Sequence, residues 1–233
     1  SPLETREGST PHVPTETVRA RLAGRFLRDE TRPQSLVWSQ LRNGTHRLRL
    51  MRREGAQWRT LAEGFHASIY ALQCGDVDGD GCDDILVGLN QRSKLDVTVR
   101  RRLHIYDVDE RRGFRPRWRG SALSRPFRRF ALLPRGGGTD TVATDIVALE
   151  TNVLPAYRGF DWVTVYRWNG FGLRVLWNTP VRGVVRDLRT GQDARGGFIR
   201  FLQKTPQFER TLILRPARDN DGKITFKAVI GAA

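Results

Sequence analysis

Four times along the chain the same order of four apolar runs returns, and this repetition restricts the fold more than any other feature. The first unit reads Val18–Gly24, Ser35–Ser39, His46–Met51 and Ala56–Leu61. The second reads Ser68–Gln73, Ile85–Leu89, Arg102–Tyr106 and Phe114–Trp118. The third reads Phe127–Leu132, Asp145–Leu149, Trp162–Trp168 and Leu173–Trp177, and the last Gly183–Leu188, Phe198–Leu202, Arg210–Leu214 and Lys223–Val229. The second run of each unit is almost continuously apolar, as in a strand covered on both faces, while third runs such as Trp162–Tyr166 alternate. Turn signals at Asn43-Gly44, Asn169-Gly170 and Asp219–Gly222 separate the runs, and helical periods are absent. Four-stranded units every 50 to 60 residues, roughly, fit the blades of a propeller. The expectation is therefore an all-β chain, a β-propeller of about four four-stranded antiparallel blades. The blades fall at about 17–65, 66–126, 127–180 and 181–233, after a polar, Pro-bearing lead-in over 1–16. Two closures stay open: a complete small ring, or an arc completed by a partner.

One connection carries distinctive chemistry. Within the stretch Cys74–Gly88, Asp76, Asp78, Asp80 and Asp84 stand at positions 1, 3, 5 and 9 of a loop counted from Asp76, with Gly79 and Gly81 between them. Calcium takes six to eight hard oxygen ligands, and closely spaced carboxylates plus a backbone carbonyl, here near Cys82, supply them. Four carboxylates this close repel one another unless a cation sits among them. The glycines allow the backbone to curl. An EF-hand is excluded, because position 12 is Val87 rather than Glu and the flanks, Ile69–Gln73 and Ile85–Leu89, are strand-like. An acidic surface turn without metal is the plainer alternative, but it has no need of the regular spacing.

The residues Gly75-Asp76-x-Asp78-Gly79-Asp80-Gly81-x-x-Asp84-Ile85-x-Val87-Gly88 resemble the calcium loop of the FG-GAP repeat, found in integrin alpha-chain propellers and in bacterial VCBS-type repeat proteins. The resemblance implies a propeller blade with calcium bound between two strands, and no catalytic activity by itself. At the matching place the other units have Gly24–Pro33, Pro134–Asp140 and Arg189–Gly196, none of which keeps the carboxylates, so one calcium is expected.

The only cysteines, Cys74 and Cys82, bracket this loop. A disulfide between them would staple it in an exported protein; two unpaired thiols are the alternative. A zinc site is poorly served by two cysteines and the scattered His12, His46, His66 and His104.

The net charge is +15, and all but four of the 40 basic residues are Arg. Arg recognises phosphate, sulfate and carboxylate with a two-pronged fork. The charge points to an acidic partner: an anionic polysaccharide, a lipid headgroup or an acidic protein surface. A genome that spells its surface cations as Arg is the alternative for the choice of residue. The candidate partner surface is Arg100, Arg101 and Arg102 with Arg111, Arg112, Arg115, Arg117 and Arg119, in the second unit. Nucleic acid suits the charge but not a loop of the extracellular calcium type. No run of 18 apolar residues spans a membrane. No nucleophile elbow or phosphate-binding loop appears. The reading is a non-enzymatic, calcium-stabilised, extracytoplasmic binding or assembly module, possible as one subunit of an envelope complex. An enzyme or enzyme subunit acting on polysaccharide or phosphodiester substrates is the second hypothesis.

Overall fold

A computed structural model of the chain describes residues 16–92, 97–120, 125–135, 143–151 and 159–230. The expected lead-in over 1–16 lies almost wholly outside these residues, as does most of the third unit's loop, 136–142. The described residues form sixteen strands and no helix, so none is long and apolar enough to cross a membrane.

The strands form four separate four-stranded antiparallel sheets, each an up-and-down meander in chain order. The first contains β1 (Glu16–Gly24), β2 (Gln34–Leu41), β3 (His46–Glu54) and β4 (Gln57–His66). In the second are β5 (Ile69–Gly75), β6 (Asp84–Gln91), β7 (Arg100–Asp109) and β8 (Gly113–Trp118). The third has β9 (Phe127–Pro134), β10 (Thr144–Thr151), β11 (Phe160–Trp168) and β12 (Leu173–Arg182). The fourth has β13 (Val184–Asp193), β14 (Gly196–Lys204), β15 (Glu209–Arg218) and β16 (Ile224–Ile230). These are the blade-like units that the apolar runs foretell.

Why the second strands are apolar on both faces is now visible. Side chains alternate along a strand, and each inner sheet packs on both sides. Ile85, Val87 and Leu89 of β6 point to the first sheet and join Phe26, Leu36, Leu48, Leu50 and Ile69. Leu86, between them, turns to the third sheet with Val77, Leu103, Ile105, Ile146 and Ala148. On β10, Val147 and Leu149 face the fourth sheet with Val163, Val165, Ile199 and Phe201. Four sheets thus share three apolar interfaces. The first and fourth sheets do not close on each other, so the architecture is propeller-like but open.

The free faces explain the opening. On the first sheet, Arg47 and Arg49 both reach Glu16, and Arg47 also meets Glu63 at 3.5 Å. On the fourth, the outer face carries Arg200 and Arg215, the latter paired with Asp193 at 2.6 Å. Burying such groups against each other carries a desolvation and repulsion cost that an apolar interface avoids.

The fourth unit's Arg189–Gly196, at the place of the acidic loop, is mostly strand. Arg189 to Asp193 continue β13 and pair with Arg200 to Gly196, leaving a tight hairpin.

The interface assignment predicts the cost of truncation. Ile85→Ala should lower stability by about 2–5 kcal/mol, because it leaves a cavity between two sheets. Phe171→Ala, at a side chain 82% exposed, should change it by less than about 0.5 kcal/mol. Urea unfolding of the two variants measures both; equal costs would count against this packing.

Candidate metal centre

The acidic loop leaves β5 at Gly75 and enters β6 at Asp84, and its backbone folds around one side chain. Asp76 accepts hydrogen bonds from the backbone N–H groups of Gly79 at 2.6 Å, Asp80 at 3.2 Å and Gly81 at 2.9 Å. Gly79 and Gly81 hold φ of 84° and 85°, the left-handed region where a side chain is strained. The glycine spacing in the sequence therefore has a structural cause.

The loop is bound to two other sheets. The N–H of Arg25 donates to Asp83 at 2.7 Å, and the N–H of Asp83 donates back to the Arg25 carbonyl at 2.6 Å. Gly24 gives the room: a Cβ there would lie 2.6 Å from the Asp83 carboxylate. Toward the third sheet, the Asp76 carbonyl accepts the Thr144 N–H at 2.6 Å and its hydroxyl at 3.1 Å. Arg135 donates to the Val77 carbonyl at 3.0 Å.

Of the four expected ligands, three converge. Asp76, Asp78 and Asp84 offer carboxylate oxygens that all lie within 4.8 Å of one another. Asp76 and Asp84 are buried and Asp78 half-buried. A set of hard carboxylate oxygens suits calcium or magnesium rather than a soft-ligand metal. Asp80 is turned away: Arg28 holds it at 2.7 Å, and it accepts the Cys82 N–H at 2.9 Å. Beside the loop opens a cleft of about 430 Å³, lined by Arg28, Asp80, Asp84, Asp107 and Arg117 among others.

Two arginines supply the positive charge that the acids need. Arg117 on β8 pairs with Asp78 and comes within 3.6 Å of Asp84 and 3.3 Å of Asp107. Burial works against its charge, but Asp84 and Asp78 outweigh that and hold it more firmly protonated than a free Arg. Burial pushes the Asp84 carboxyl up to about 7, although Arg117 and the Val77 N–H oppose the shift. Asp80 is held below the usual carboxylate range, since Arg28 and the Cys82 N–H overcome its partial burial. Sequence reasoning missed Arg28 and the role of Arg117. The signal was faint: Arg115, Arg117 and Arg119 alternate on one strand, beside a strand that ends in Asp107 and Asp109.

The expected bond between Cys74 and Cys82 is not formed; both are free thiols. Cys74 belongs to β5, where it pairs with Ile85, and its Sγ lies 3.8 Å from the Ala23 carbonyl of the first sheet. Cys82 sits in the loop and lines the acidic cleft. Burial raises the Cys74 thiol to about 11, so it packs as a small apolar group.

The candidate partner surface is also divided by the structure. Arg102 is only 4% exposed and donates to the Gln91 carbonyl, so it is no surface cation. Arg115 pairs with Asp107 at 2.5 Å, and Arg117 belongs to the aspartate loop. Arg101 lies over the Tyr70 ring at 4.9 Å. Arg100 is exposed at the start of β7. Arg111, Arg112 and Arg119 are exposed and make no salt bridge among the described residues.

Three histidines gather between the first and second sheets, but as packing. His46 accepts a hydrogen bond from Trp38 at 2.8 Å and His104 contacts Gln91 at 2.7 Å. Burial lowers His104 to about 4, and the nearby His66 and Arg119 act in the same direction. No protein-family model matches this chain, and no curated protein matches it.

The Asp84 shift gives a pH signature with a definite sign. Its folded value, about 7, lies above the unfolded carboxylate value of roughly 3.9. The protonated form therefore favours the fold below the unfolded value, and that contribution is lost as pH rises through about 7. Calcium needs the ionised carboxylate, so the gain in melting temperature on adding calcium should grow from pH 5.5 to pH 8, roughly the span of that titration. Thermal melts with and without chelator at each pH measure it; a calcium gain independent of pH would remove Asp84 from the ligand set.

Proposed function

We propose that this chain is a calcium-stabilised, extracytoplasmic module of the FG-GAP or VCBS-repeat type, which binds or assembles with an acidic partner and is not an enzyme. The observation that carries the metal half is the convergence of Asp76, Asp78 and Asp84 within 4.8 Å. Asp76, Asp78 and Asp84 would hold one calcium ion, with Asp80 and the Cys82 carbonyl as further donors on closure of the loop. The loop joins three sheets, so a metal there would stiffen the whole arc rather than one turn. Support for the acidic partner is the charge of +15 together with the exposed Arg111, Arg112 and Arg119, which make no salt bridge among the described residues. An anionic glycan, a lipid headgroup or an acidic protein meets this requirement by the same chemistry.

A ligand that binds only the folded state stabilises it, by about 2.7 kcal/mol at a hundredfold excess over Kd. Chelation should therefore lower the melting temperature of the wild type, and calcium should restore it. Asp78→Ala also removes the Arg117 pair, so its informative property is the calcium response, which should disappear. Isothermal titration that detects no calcium binding to the wild type would overturn the metal half. For the partner half, retention on immobilised heparin should fall steeply as salt rises from about 0.05 to about 0.5 M. Retention that ignores salt, or none at all, speaks against a charge-driven partner.

A further inference from the structure

The first strands of the second, third and fourth sheets, β5, β9 and β13, border a second concavity, of about 640 Å³. Its lining includes Arg101, Arg128, Arg129 and Arg189 and no acidic side chain. The cleft beside the aspartate loop has the opposite character, with seven carboxylates in its lining. One chain thus carries two cavities of opposite sign.

Two of the four arginines are committed to the protein. Arg128 pairs with Asp161 and donates to the Val185 carbonyl at 3.2 Å. Arg101 lies over Tyr70 and donates to the Arg128 carbonyl at 2.8 Å. Arg129 and Arg189 differ: both are exposed, and neither makes a salt bridge among the described residues. The local backbone brings Arg189 to this place. The register of β13 breaks between Arg186 and Arg189, with Asp187 at φ 49°. Bulges of this kind bend a strand and re-aim its side chains. Directly after it, the Thr190 hydroxyl donates to the Leu132 carbonyl at 2.5 Å, which fixes β13 against β9. The two uncommitted guanidinium groups therefore come from strands that touch.

The rest of the lining is mixed: Gln73, Tyr70 and Thr190 stand beside Phe130, Ala131 and Leu188, which are largely buried but border the same concavity. Its volume falls in the range of small-ligand sites, larger than a bare ion requires. Guanidinium forks match the tetrahedral oxygens of phosphate and sulfate groups, and charge-assisted hydrogen bonds to them are about twice as strong as neutral ones.

We propose that this concavity binds a phosphate or sulfate ester, with Arg129 and Arg189 gripping the oxyanion and the organic part lying on Phe130, Ala131 and Leu188. Arg101 and Arg128 supply fixed positive walls. The proposal rests on reading the chain as an anion-binding module and is independent of calcium.

Phenyl phosphate, phenyl sulfate, inorganic phosphate and phenol serve as probes in isothermal titration. The wild type should bind one or both esters more tightly than inorganic phosphate, and phenol weakly; the two ester arms tell phosphate from sulfate. Arg129→Gln/Arg189→Gln should weaken ester binding at least about tenfold, through loss of two charge-assisted contacts. A control, Arg42→Gln/Arg174→Gln, exposed on the β2–β3 turn and on β12, should change it by less than about twofold, as for distant screened charges. An unchanged urea midpoint in the double variant shows that it folds. Loss in the control and not in the groove variant overturns this site while the anion-binding reading stands. Equal affinity for inorganic phosphate and the esters overturns an organic ligand. Wild type that binds no probe overturns the site, and heparin retention then decides separately whether the anion-binding reading survives.

Discussion

The aspartate loop between β5 and β6 is a joint between sheets before it is anything else. Its far end exchanges two hydrogen bonds with Arg25 of the first sheet, and its near end is gripped by Thr144 and Arg135 of the third. Val77, at its centre, is fully buried among residues of the second and third sheets. The loop's conformation therefore sets how three of the four sheets meet. Yet that conformation gathers carboxylates that repel one another, so it requires positive charge. Arg28 and Arg117 provide it, each from a different sheet or connection. The packing of the arc depends on this charge balance, because the apolar clusters can align only if the joint holds its shape.

The fourfold repeat supplies the rest of the geometry. A sheet with apolar side chains on both faces needs neighbours on both sides, and β6 and β10 have them. The outer faces of the first and fourth sheets lack that pattern. They carry Arg47, Arg49, Arg200 and Arg215 where an internal interface would carry Val or Ile. Glu16 offsets the first pair and Asp193 offsets Arg215, while Arg200 makes no salt bridge among the described residues. Closure of the ring on itself would bury like charges, so the open arc follows from the same rule that closes its three interfaces.

Much of this was legible in the sequence because it is local. Period-two alternation gives the strands, and regular Asp and Gly spacing gives the loop. What was not legible depends on contacts between distant residues. Arg117 meets Asp78 across 39 positions, and Arg28 meets Asp80 across 52. A run such as Arg100, Arg101 and Arg102 looks uniform on paper, but alternation sends Arg102 into the interface with the first sheet and leaves Arg101 on the other face. The fourth unit's Arg189–Gly196 stands at the place of the acidic loop and reads as a loop from its Gly and Asp residues. Strand pairing absorbs most of it, and only backbone register could reveal that. Cys74 and Cys82 bracket the loop in sequence, which left a bond between them open, but the Cys74 thiol lies against the Ala23 carbonyl instead.

Arginine abundance therefore has two physical meanings in this chain. Arg117, Arg128 and Arg135 neutralise internal carboxylates or cap buried carbonyls, and their loss would be felt as instability. Arg129 and Arg189 do neither, and for that reason the proposed oxyanion site is built on them. The two sets also interact through the loop. A divalent ion among Asp76, Asp78 and Asp84 would share two of its carboxylates with Arg117, so metal and guanidinium are not additive. The stabilisation that calcium confers is the difference between the ion's hold on those carboxylates and the arginine's. Asp107 lowers that cost, because it stays within reach of Arg117 and is itself held below the usual carboxylate range, where Arg115 and Arg117 outweigh its partial burial. Arg117 can therefore give up Asp78 without becoming a buried, unpaired charge, which is the condition for a loop that folds without metal and still has room to bind it.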